Sequence, residues 1–347
     1  MVVSGLAWVG CSPKSTGDGA RRESAGVVHL ATWSNYISAE MLADFARETG
    51  IQVKVSNYSS NEELLAKLQA GASGYDVAVP SDYMVFAMIQ LGLLLPLDAA
   101  KMPSRKGIDP RFMGQRYDPE NKFSIPYDWG TTGLAVNRTL FAGRLKSWKD
   151  LFSQEALKGK FTLLDDVRES MGAALKYQGR SLNTKDEAQI AEAKKFLLSI
   201  KSAVKAFTSE PLVPLVDGEV AVAHVYMSDA LQAARKTGGK IEYVIPEEGA
   251  TLWVDNLVIP KGAVNVEGAH RLMEYLLRPK NAAATVTAVL VAPTVLGVAS
   301  FLSPELRANP FLFPGTHQRA GLEMMEDLGE ALRMYDRAWT EVKAASN

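Results

Sequence analysis

Short segments that place aromatic side chains beside acidic or polar ones recur along the chain. They are Trp33-Ser34-Asn35-Tyr36, Ser81-Asp82-Tyr83, Asp165 to Glu169 with Asp166 inside it, Tyr226 with Asp229, and Trp253 with Asp255. Aromatic faces attract ammonium groups by roughly 0.5–2 kcal/mol per contact. Carboxylates add directed, charge-assisted hydrogen bonds to amines. If folding brings these segments together, they predict a binding site for an organic polycation, with no evident nucleophile in it.

Simpler interpretations of the same residues stay open at this point. Asp165, Asp166 and Glu169 could be the solvated first turn of a helix, where acids are favoured. Trp33 and Trp253, taken singly, are more typical of a core than of a cage. Asp166 and Glu169 could also act as an acid/base pair, but nothing else in the sequence supplies an oxyanion hole, a metal site or a cofactor site. The four histidines lack metal-ligand spacing and are predicted to be structural, so no metal or cofactor is expected.

Length, composition and charge narrow the class of protein. The chain has 347 residues, enough for two domains, and 47% of them are hydrophobic. The net charge of −1 gives no basic surface for nucleic acid or anionic lipid. No apolar run reaches the roughly 20 residues that span a bilayer. A two-domain globular protein that does not bind nucleic acid is predicted.

The single cysteine follows a short apolar run. Residues 6–11 end in Gly10-Cys11, and a polar tract rich in glycine and serine follows from Ser12 to Gly26. This resembles the lipobox of bacterial lipoproteins. The resemblance implies that residues 1–26 comprise the remnant of a signal segment, a lipid on Cys11 and the tether that follows it. Trp8 departs from that pattern, and the alternative is an unmodified cysteine in a disordered terminus. With one cysteine, an intramolecular disulfide is excluded.

Strands and helices alternate from Val27 onward. Hydrophobic periodicity and capping residues predict three strands, Val27–Ala31, Ile51–Val55 and Tyr75–Pro80, and three helices, Ala39–Thr49 before Gly50, Asn61–Ala70 with Asn61 as N-cap, and Asp82–Leu91. This order favours a parallel sheet whose ligand crevice lies beyond the carboxyl ends of the strands. The segments at 33–36 and 81–83 directly follow such strands.

A second α/β unit begins after a crossover predicted near Gly130 and Gly133. Its predicted elements are the strands Gly159–Leu164 and Ile241–Ile245 and the helices Glu187–Ile200 and Ser228–Lys236, followed by the strand Asn256–Pro260 and the helix Val266–Leu277. A chain that crosses between two units leaves a cleft at the crossings, where small-molecule sites are common.

Many of these segments, taken in order, resemble one family. The segments are Trp33–Tyr36, Tyr75–Ser81, Ser124–Tyr127, Asp165–Glu169, Pro246–Gly249, Trp253–Pro260 and Leu277–Pro279. Between Val28 and Lys343 the chain resembles the periplasmic spermidine/putrescine-binding proteins of ABC importers. The resemblance implies an α/β, two-lobe, type II periplasmic binding fold, each lobe a mostly parallel sheet with flanking helices, and a ligand cleft between the lobes.

The resemblance also implies the role and the surroundings of the protein. Lobe 1 would comprise residues 27–131 and 256–301, and lobe 2 residues 132–255 and 302–347. A monomer outside the cytoplasm would deliver polyamines to permease subunits with their ATPase and catalyse nothing. Presentation of the ligand to a membrane receptor, or binding of another small organic cation, is the alternative. Neighbouring permease and ATPase genes would favour the importer.

Individual residues take their roles from the same resemblance. The implied aromatic walls are Trp33, Tyr36, Tyr83, Tyr226 and Trp253; the implied amine-binding acids are Asp166, Glu169 and Asp255; further predicted contacts are Ser34, Asn35, Ser81, Asp82 and Asp229. Asn35 stands where the family has an acid, Val291 where it has an aromatic lid, and Met325 where spermidine binders carry a polar side chain. Four of these acids, Asp166, Glu169, Asp229 and Asp255, exceed what a diamine can pair directly, so spermidine is expected to bind more tightly than putrescine.

Overall fold

The computed structural model describes residues 26–71, 74–313 and 321–345. Cys11 and the predicted tether up to Ala25 lie outside the described residues. The strands are β1 (Val27–Trp33), β2 (Gln52–Tyr58), β3 (Val77–Ala78), β4 (Ser124–Asn137), β5 (Phe161–Leu164), β6 (Val204–Thr208), β7 (Val222–Tyr226), β8 (Ile241–Val244), β9 (Thr251–Val258), β10 (Ala292–Pro293) and β11 (Glu323–Met324).

Helices flank these strands in alternation. The α-helices are α1 (Ala39–Thr49), α2 (Asn61–Gln69), α3 (Asp82–Gln90), α4 (Trp148–Ser153), α5 (Val167–Tyr177), α6 (Glu187–Ile200), α7 (Leu212–Val216), α8 (Met227–Lys236), α9 (Val266–Leu276), α10 (Pro279–Val289), α11 (Pro304–Arg307) and α12 (Leu332–Ala344). Within the described ranges, none of them has the length and apolar character needed to cross a membrane.

Two sheets meet on the long strand β4. Its first half pairs with β9 up to Thr131, and its second half pairs with β7 from Thr132. β1 lies between β2 and β3 in parallel, and β5 lies between β6 and β7 in parallel. The predicted α/β class is therefore confirmed. The centre is antiparallel because β4 leaves the first sheet and β9 returns to it in the opposite direction, so the sheets are mixed and not mostly parallel as expected.

Separate apolar clusters support the two sheets. Phe45 of α1 packs edge-on against Tyr275 of α9, with ring centroids 5.2 Å apart, beneath the first sheet. Trp148 of α4 stacks on Phe152 beside the second sheet, where Tyr335 of α12 is also fully buried. The last helix thus anchors the end of the chain against the second sheet.

Some local predictions were wrong at element ends. Ser60, not Asn61, is the N-cap of α2, since its hydroxyl accepts the Glu63 N–H. The Asn61 side chain instead accepts the Ser81 N–H at 3.1 Å and donates to the Tyr83 hydroxyl at 3.2 Å. This residue therefore ties together two segments that were predicted to form the site.

Two glycines in β4 permit close packing. A Cβ on Gly130 would lie 2.3 Å from the Trp253 ring, and one on Gly133 would lie 2.5 Å from the carbonyl oxygen of Val244. Both distances are shorter than any real Cβ contact. The predicted crossover is therefore a continuous strand at these positions, and its glycines let neighbouring strands and one indole ring approach the backbone.

Candidate functional site

A cleft lies where the two sheets meet. It encloses about 980 Å³ of space between its lining atoms, part of it open to solvent. Every residue predicted for the site lines it, namely Trp33, Ser34, Asn35, Tyr36, Ser81, Asp82, Tyr83, Asp166, Glu169, Tyr226, Asp229, Trp253 and Asp255. Their contact with a ligand stays a prediction.

Strand ends and helix starts position the acids of the cleft. Asp82, Glu169 and Asp229 each lie in the first turn of a helix that follows a strand. The partial positive charge of a helix N-terminus stabilises a carboxylate there. The helix N-termini thus help to stabilise several carboxylates, and all three acids line the same cleft.

Asp166 and Glu169 are held by different donors. One Asp166 oxygen caps α5 and accepts the N–H groups of Arg168 and Glu169 at 2.8 and 3.0 Å. The two Glu169 oxygens accept the hydroxyls of Thr132 and Thr251, each at 2.8 Å. Asp166 therefore has the capping role that was the simpler alternative and also lines the cleft, whereas Glu169 is buried and is not part of a solvated turn.

Asp165, their neighbour in sequence, faces away from the cleft. Its carboxylate is exposed and accepts the Lys343 ammonium at 2.7 Å. The solvated interpretation is correct for this residue alone.

Asp255 lies in the middle of β9 and is buried. The Ser81 hydroxyl donates to one of its oxygens at 2.7 Å, and the Tyr36 hydroxyl lies 2.5 Å from the other. The same Tyr36 hydroxyl is 2.6 Å from Asp128, a buried acid outside the cleft lining that sequence reasoning missed. Asp128 lies in a strand that is buried along its whole length, Ser124–Asn137, so no alternation of buried and exposed positions marked this residue in the sequence.

Burial makes the acids of the cleft reluctant to ionise. Burial is the main cause that raises the pKa of Glu169 to about 8, and the negative charge of Asp166 raises it further. Burial also raises the pKa of Asp82 to about 8, and there the negative charge of Asp255 contributes. Burial likewise raises the pKa of Asp229 to about 7 and that of Asp255 to about 6. No lysine, arginine or histidine lines the described part of the cleft. A bound cation would therefore stabilise the charged form of each acid.

Aromatic rings form two walls. Trp33 packs edge-on against Tyr58 with centroids 4.6 Å apart, and its indole N–H donates to the Val79 carbonyl. Tyr226 meets Trp253 at 6.4 Å, with the ring planes 83° apart. A hydrogen bond and an edge contact fix Trp33, whereas Tyr226 and Trp253 are oriented by their mutual edge contact, and the Trp253 indole N–H has no partner among the described residues.

Several other residues of the lining were not predicted. They are Tyr58, Ser59, Asn61, Ser209, Glu210, Ser228 and Thr251, and Met325, named in the sequence as a departure, is also present. Ser209 and Glu210 follow β6, whose strand was not predicted; the rule that sites follow strand ends would have found them. Val291 is fully buried and is absent from the lining. His224 is buried against Trp148, where burial lowers its pKa to about 3, which agrees with its predicted structural role.

Known proteins resemble this chain over most of its length. The profile of bacterial extracellular solute-binding proteins matches residues 40–314. A spermidine/putrescine-binding periplasmic protein of Haemophilus influenzae is 37% identical over 92% of this chain and 89% of its own length. A putrescine/cadaverine-binding protein of Pseudomonas aeruginosa is 33% identical over 93% of this chain and 95% of its own.

Solved structures agree with these relatives. A spermidine/putrescine ABC transporter substrate-binding protein of Streptococcus pneumoniae superposes with a TM-score of 0.80 at 33% identity, over 91% of this chain and 98% of its own. A lipoprotein of Treponema pallidum gives a TM-score of 0.82 at 28% identity, over 91% and 99%. The chain therefore belongs to the bacterial extracellular solute-binding protein family, which confirms the predicted two-lobe fold, location outside the cytoplasm and lack of enzymatic activity.

Proposed function

We propose that this protein captures polyamines in the cleft and delivers them to the permease of an ABC importer, which works with its own ATPase. The observation that carries the proposal is a set of buried carboxyl groups between aromatic walls, with no basic side chain in the described lining. The relatives support it, since their names give spermidine, putrescine and cadaverine as ligands.

The acids suggest where each amine group sits. Glu169 and Asp166 offer one anionic end, at the start of α5. Asp255, with Ser81 beside it, offers another on β9. Trp253 contributes an apolar face for the methylene chain that joins the amines. Buried carboxylates paired with ammonium groups form charge-assisted hydrogen bonds, which are the strong ones in such a site.

Closure of two lobes around the ligand completes the mechanism. In our proposal lobe 1 comprises residues 27–131 and 256–301, lobe 2 residues 132–255 and 302–347, and the hinge lies in the strands that cross between them. The Arg168 guanidinium lies over the Tyr83 ring at 5.6 Å, which links α5 to α3 across the cleft. A ligand that contacts both sides shifts the equilibrium toward this closed arrangement.

Ligand selectivity follows from the number of acids. Six acids line the cleft: the four on which the expected selectivity rests, Asp82, which was also predicted, and Glu210, which was not. Unpaired buried carboxylates are costly, which favours spermidine with three amines over putrescine with two. Asn35 removes one carboxylate from its part of the cleft, so we expect a modest preference, about tenfold or 1.4 kcal/mol.

Calorimetric titration with putrescine, cadaverine, spermidine and spermine tests the proposal directly. Spermidine should bind about tenfold more tightly than putrescine, and Asn35→Glu should strengthen spermidine binding more than putrescine binding. Putrescine binding more tightly than spermidine, or weaker binding of both by the variant, would overturn the assigned selectivity. Absence of binding by all four amines would overturn the proposed function itself.

Membrane attachment is a separate proposal, since Cys11 lies outside the described residues. We infer that a lipid on Cys11 holds a monomeric protein at the membrane surface, a view supported by the lipoprotein among the solved neighbours. Metabolic labelling with a fatty acid should mark the wild type and not Cys11→Ser. Equal labelling of both proteins would contradict the inference.

A further inference from the structure

Three oxygen atoms form a short chain behind the cleft. The Tyr36 hydroxyl lies 2.6 Å from an Asp128 oxygen and 2.5 Å from an Asp255 oxygen. Asp128 on β4 and Asp255 on β9 are register partners in the antiparallel pair. All three residues are buried, with 7% or less of each exposed. Like charges directly opposite each other on two strands destabilise a sheet, so this arrangement needs an explanation.

Counting protons supplies that explanation. Each of the two O···O contacts is a hydrogen bond and needs one proton, but the Tyr36 hydroxyl carries only one. The second proton must therefore reside on a carboxyl group. The chain Asp128–Tyr36–Asp255 then bears one negative charge in total, located on one acid or the other.

The surroundings decide which acid is charged. The Ser81 hydroxyl donates to the second oxygen of Asp255 at 2.7 Å, so an anionic Asp255 has a donor on each oxygen. The second oxygen of Asp128 is buried and has no hydrogen-bond partner among the described residues. A buried oxygen without a donor is tolerated far better on a neutral acid than on a carboxylate. The charge thus resides on Asp255.

We propose that Asp128 is a positioning residue of the cleft: it stays protonated, donates its proton to the Tyr36 oxygen, and thereby directs the Tyr36 hydrogen toward an anionic Asp255. This inference rests on the proposed function, because Asp255 is the acid that would receive an amine of the ligand. Asp128 itself does not line the cleft. It acts through Tyr36, and keeps the single negative charge of the chain on the side where a cation arrives.

Electrostatics around Asp128 agree with this assignment. The titratable groups that interact with it are Tyr36, Tyr58, Tyr127 and Asp255, and no cation is among them in the described residues. Burial, and then the negative charge of Asp255, raise the pKa of Asp128 well above its ordinary value. The pKa of Asp255 is raised less, to about 6, because hydrogen bonds from Tyr36 and Ser81 favour its charged form.

Infrared difference spectroscopy of the ligand-free protein tests the proton directly. The wild type minus Asp128→Asn at pH 7 should contain the carbonyl band of a protonated carboxylic acid, and wild type minus Asp128→Leu should contain the same band. A difference that shows only carboxylate bands would mean that Asp128 is ionised, and would overturn the inference. Two variants are used so that the assignment survives if one of them fails to fold.

The pH dependence of stability gives an independent test. An acid with a raised folded pKa destabilises the fold above its unfolded pKa, since unfolding then releases a proton. Asp128→Asn removes this penalty, so its folding constant relative to wild type should rise by up to tenfold per pH unit between about pH 5 and 7. A ratio that does not change with pH would overturn the inference.

Asp118→Asn is the matched control for this measurement. Asp118 is also buried, but its carboxylate accepts the N–H groups of Lys122, Phe123 and Ser124. An amide cannot replace all these contacts, so this variant should be less stable than wild type. A rise equal to that of Asp128→Asn would overturn the inference, because the gain would then be common to buried aspartates.

Ligand titration separates this inference from the proposed function. The amide introduced by Asp128→Asn can still donate to the Tyr36 oxygen, whereas Asp128→Leu provides no donor there, so Asp128→Asn should bind spermidine about tenfold more tightly than Asp128→Leu. Equal affinities of the two folded variants would overturn the inference. Failure of the wild type to bind any polyamine would refute the proposed function alone, since the infrared and stability tests contain no ligand.

Discussion

Replacing Glu169 with glutamine should affect stability and binding in opposite directions. Glu169 is buried, and burial together with Asp166 raises its pKa from 4.5 to about 8. A raised acid pKa costs stability above the unfolded value of 4.5, and the cost grows until the pH reaches the folded value. At pH 7 the interval corresponds to about 3 kcal/mol, at 1.36 kcal/mol per unit. Glu169→Gln should therefore be more stable than wild type at pH 7 by up to this amount, and the gain should vanish near pH 4.5.

Binding should weaken in the same variant. A glutamine amide can keep hydrogen bonds with Thr132 and Thr251, whose hydroxyls can donate or accept. It loses the charge that would pair with an ammonium group, a contribution of about 1.5–3 kcal/mol. Spermidine affinity should therefore fall by on the order of 10- to 150-fold.

Thermal unfolding at pH 4.5 and 7, with calorimetric titration at pH 7, measures both effects. Asp165→Asn is the control, because this acid lies four residues away and faces Lys343, outside the cleft. It should change spermidine affinity by less than about threefold, since exposed charges are well screened. Unchanged binding by Glu169→Gln would refute the pairing with an amine, and an equal stability difference at both pH values would refute the penalty of burial.

Further expectations concern Asp255, pH and motion. Asp255→Asn should keep its fold and lose about 1.5–3 kcal/mol of binding in calorimetry; unchanged affinity in the folded variant would remove Asp255 from the site. Asp229 and Glu169 have pKa values near 7 and 8. A bound cation should lower both pKa values and release protons, so spermidine affinity should rise from pH 6 to 8. Calorimetric titration in two buffers of different ionisation enthalpy detects released protons, and equal binding enthalpies in the two buffers would contradict this expectation. Solution scattering should show a smaller radius of gyration with saturating spermidine, and an unchanged radius would argue against lobe closure.

Sequence reasoning located the cleft because its residues obey a local rule. Trp33 to Tyr36 and Ser81 to Tyr83 follow strands whose apolar residues made them recognisable, and ligand crevices lie beyond such strand ends. Helix α1, Ala39–Thr49, was likewise predicted to the residue, since its apolar positions recur with helical spacing and Gly50 follows it. Patterns that lie within a short stretch of chain can be recognised in the sequence without knowledge of the fold.

The missed features depend on contacts that are distant in the chain. Asn61 looked like a helix cap, but its amide binds Ser81 and Tyr83, about twenty residues later, and Ser60 takes the cap. Asp128 stands in a strand that is buried along its whole length, so nothing local distinguished it from its apolar neighbours. Its partner Tyr36 lies 92 residues away, and only the folded pair reveals the shared proton.

In the proposed function, the distribution of acids between the two sheets favours a ligand with several charges. Asp255 is held on β9, paired with the first half of β4, whereas Glu169 and Asp229 begin helices that follow strands of the second sheet. A single ammonium group can relieve the burial penalty of only one side. A polyamine neutralises acids on both sides at once, and it does so only when they are near each other. Our proposal therefore expects the free energy that burial costs the empty protein to be recovered in the closed form alone, which would couple recognition of a polycation to lobe closure.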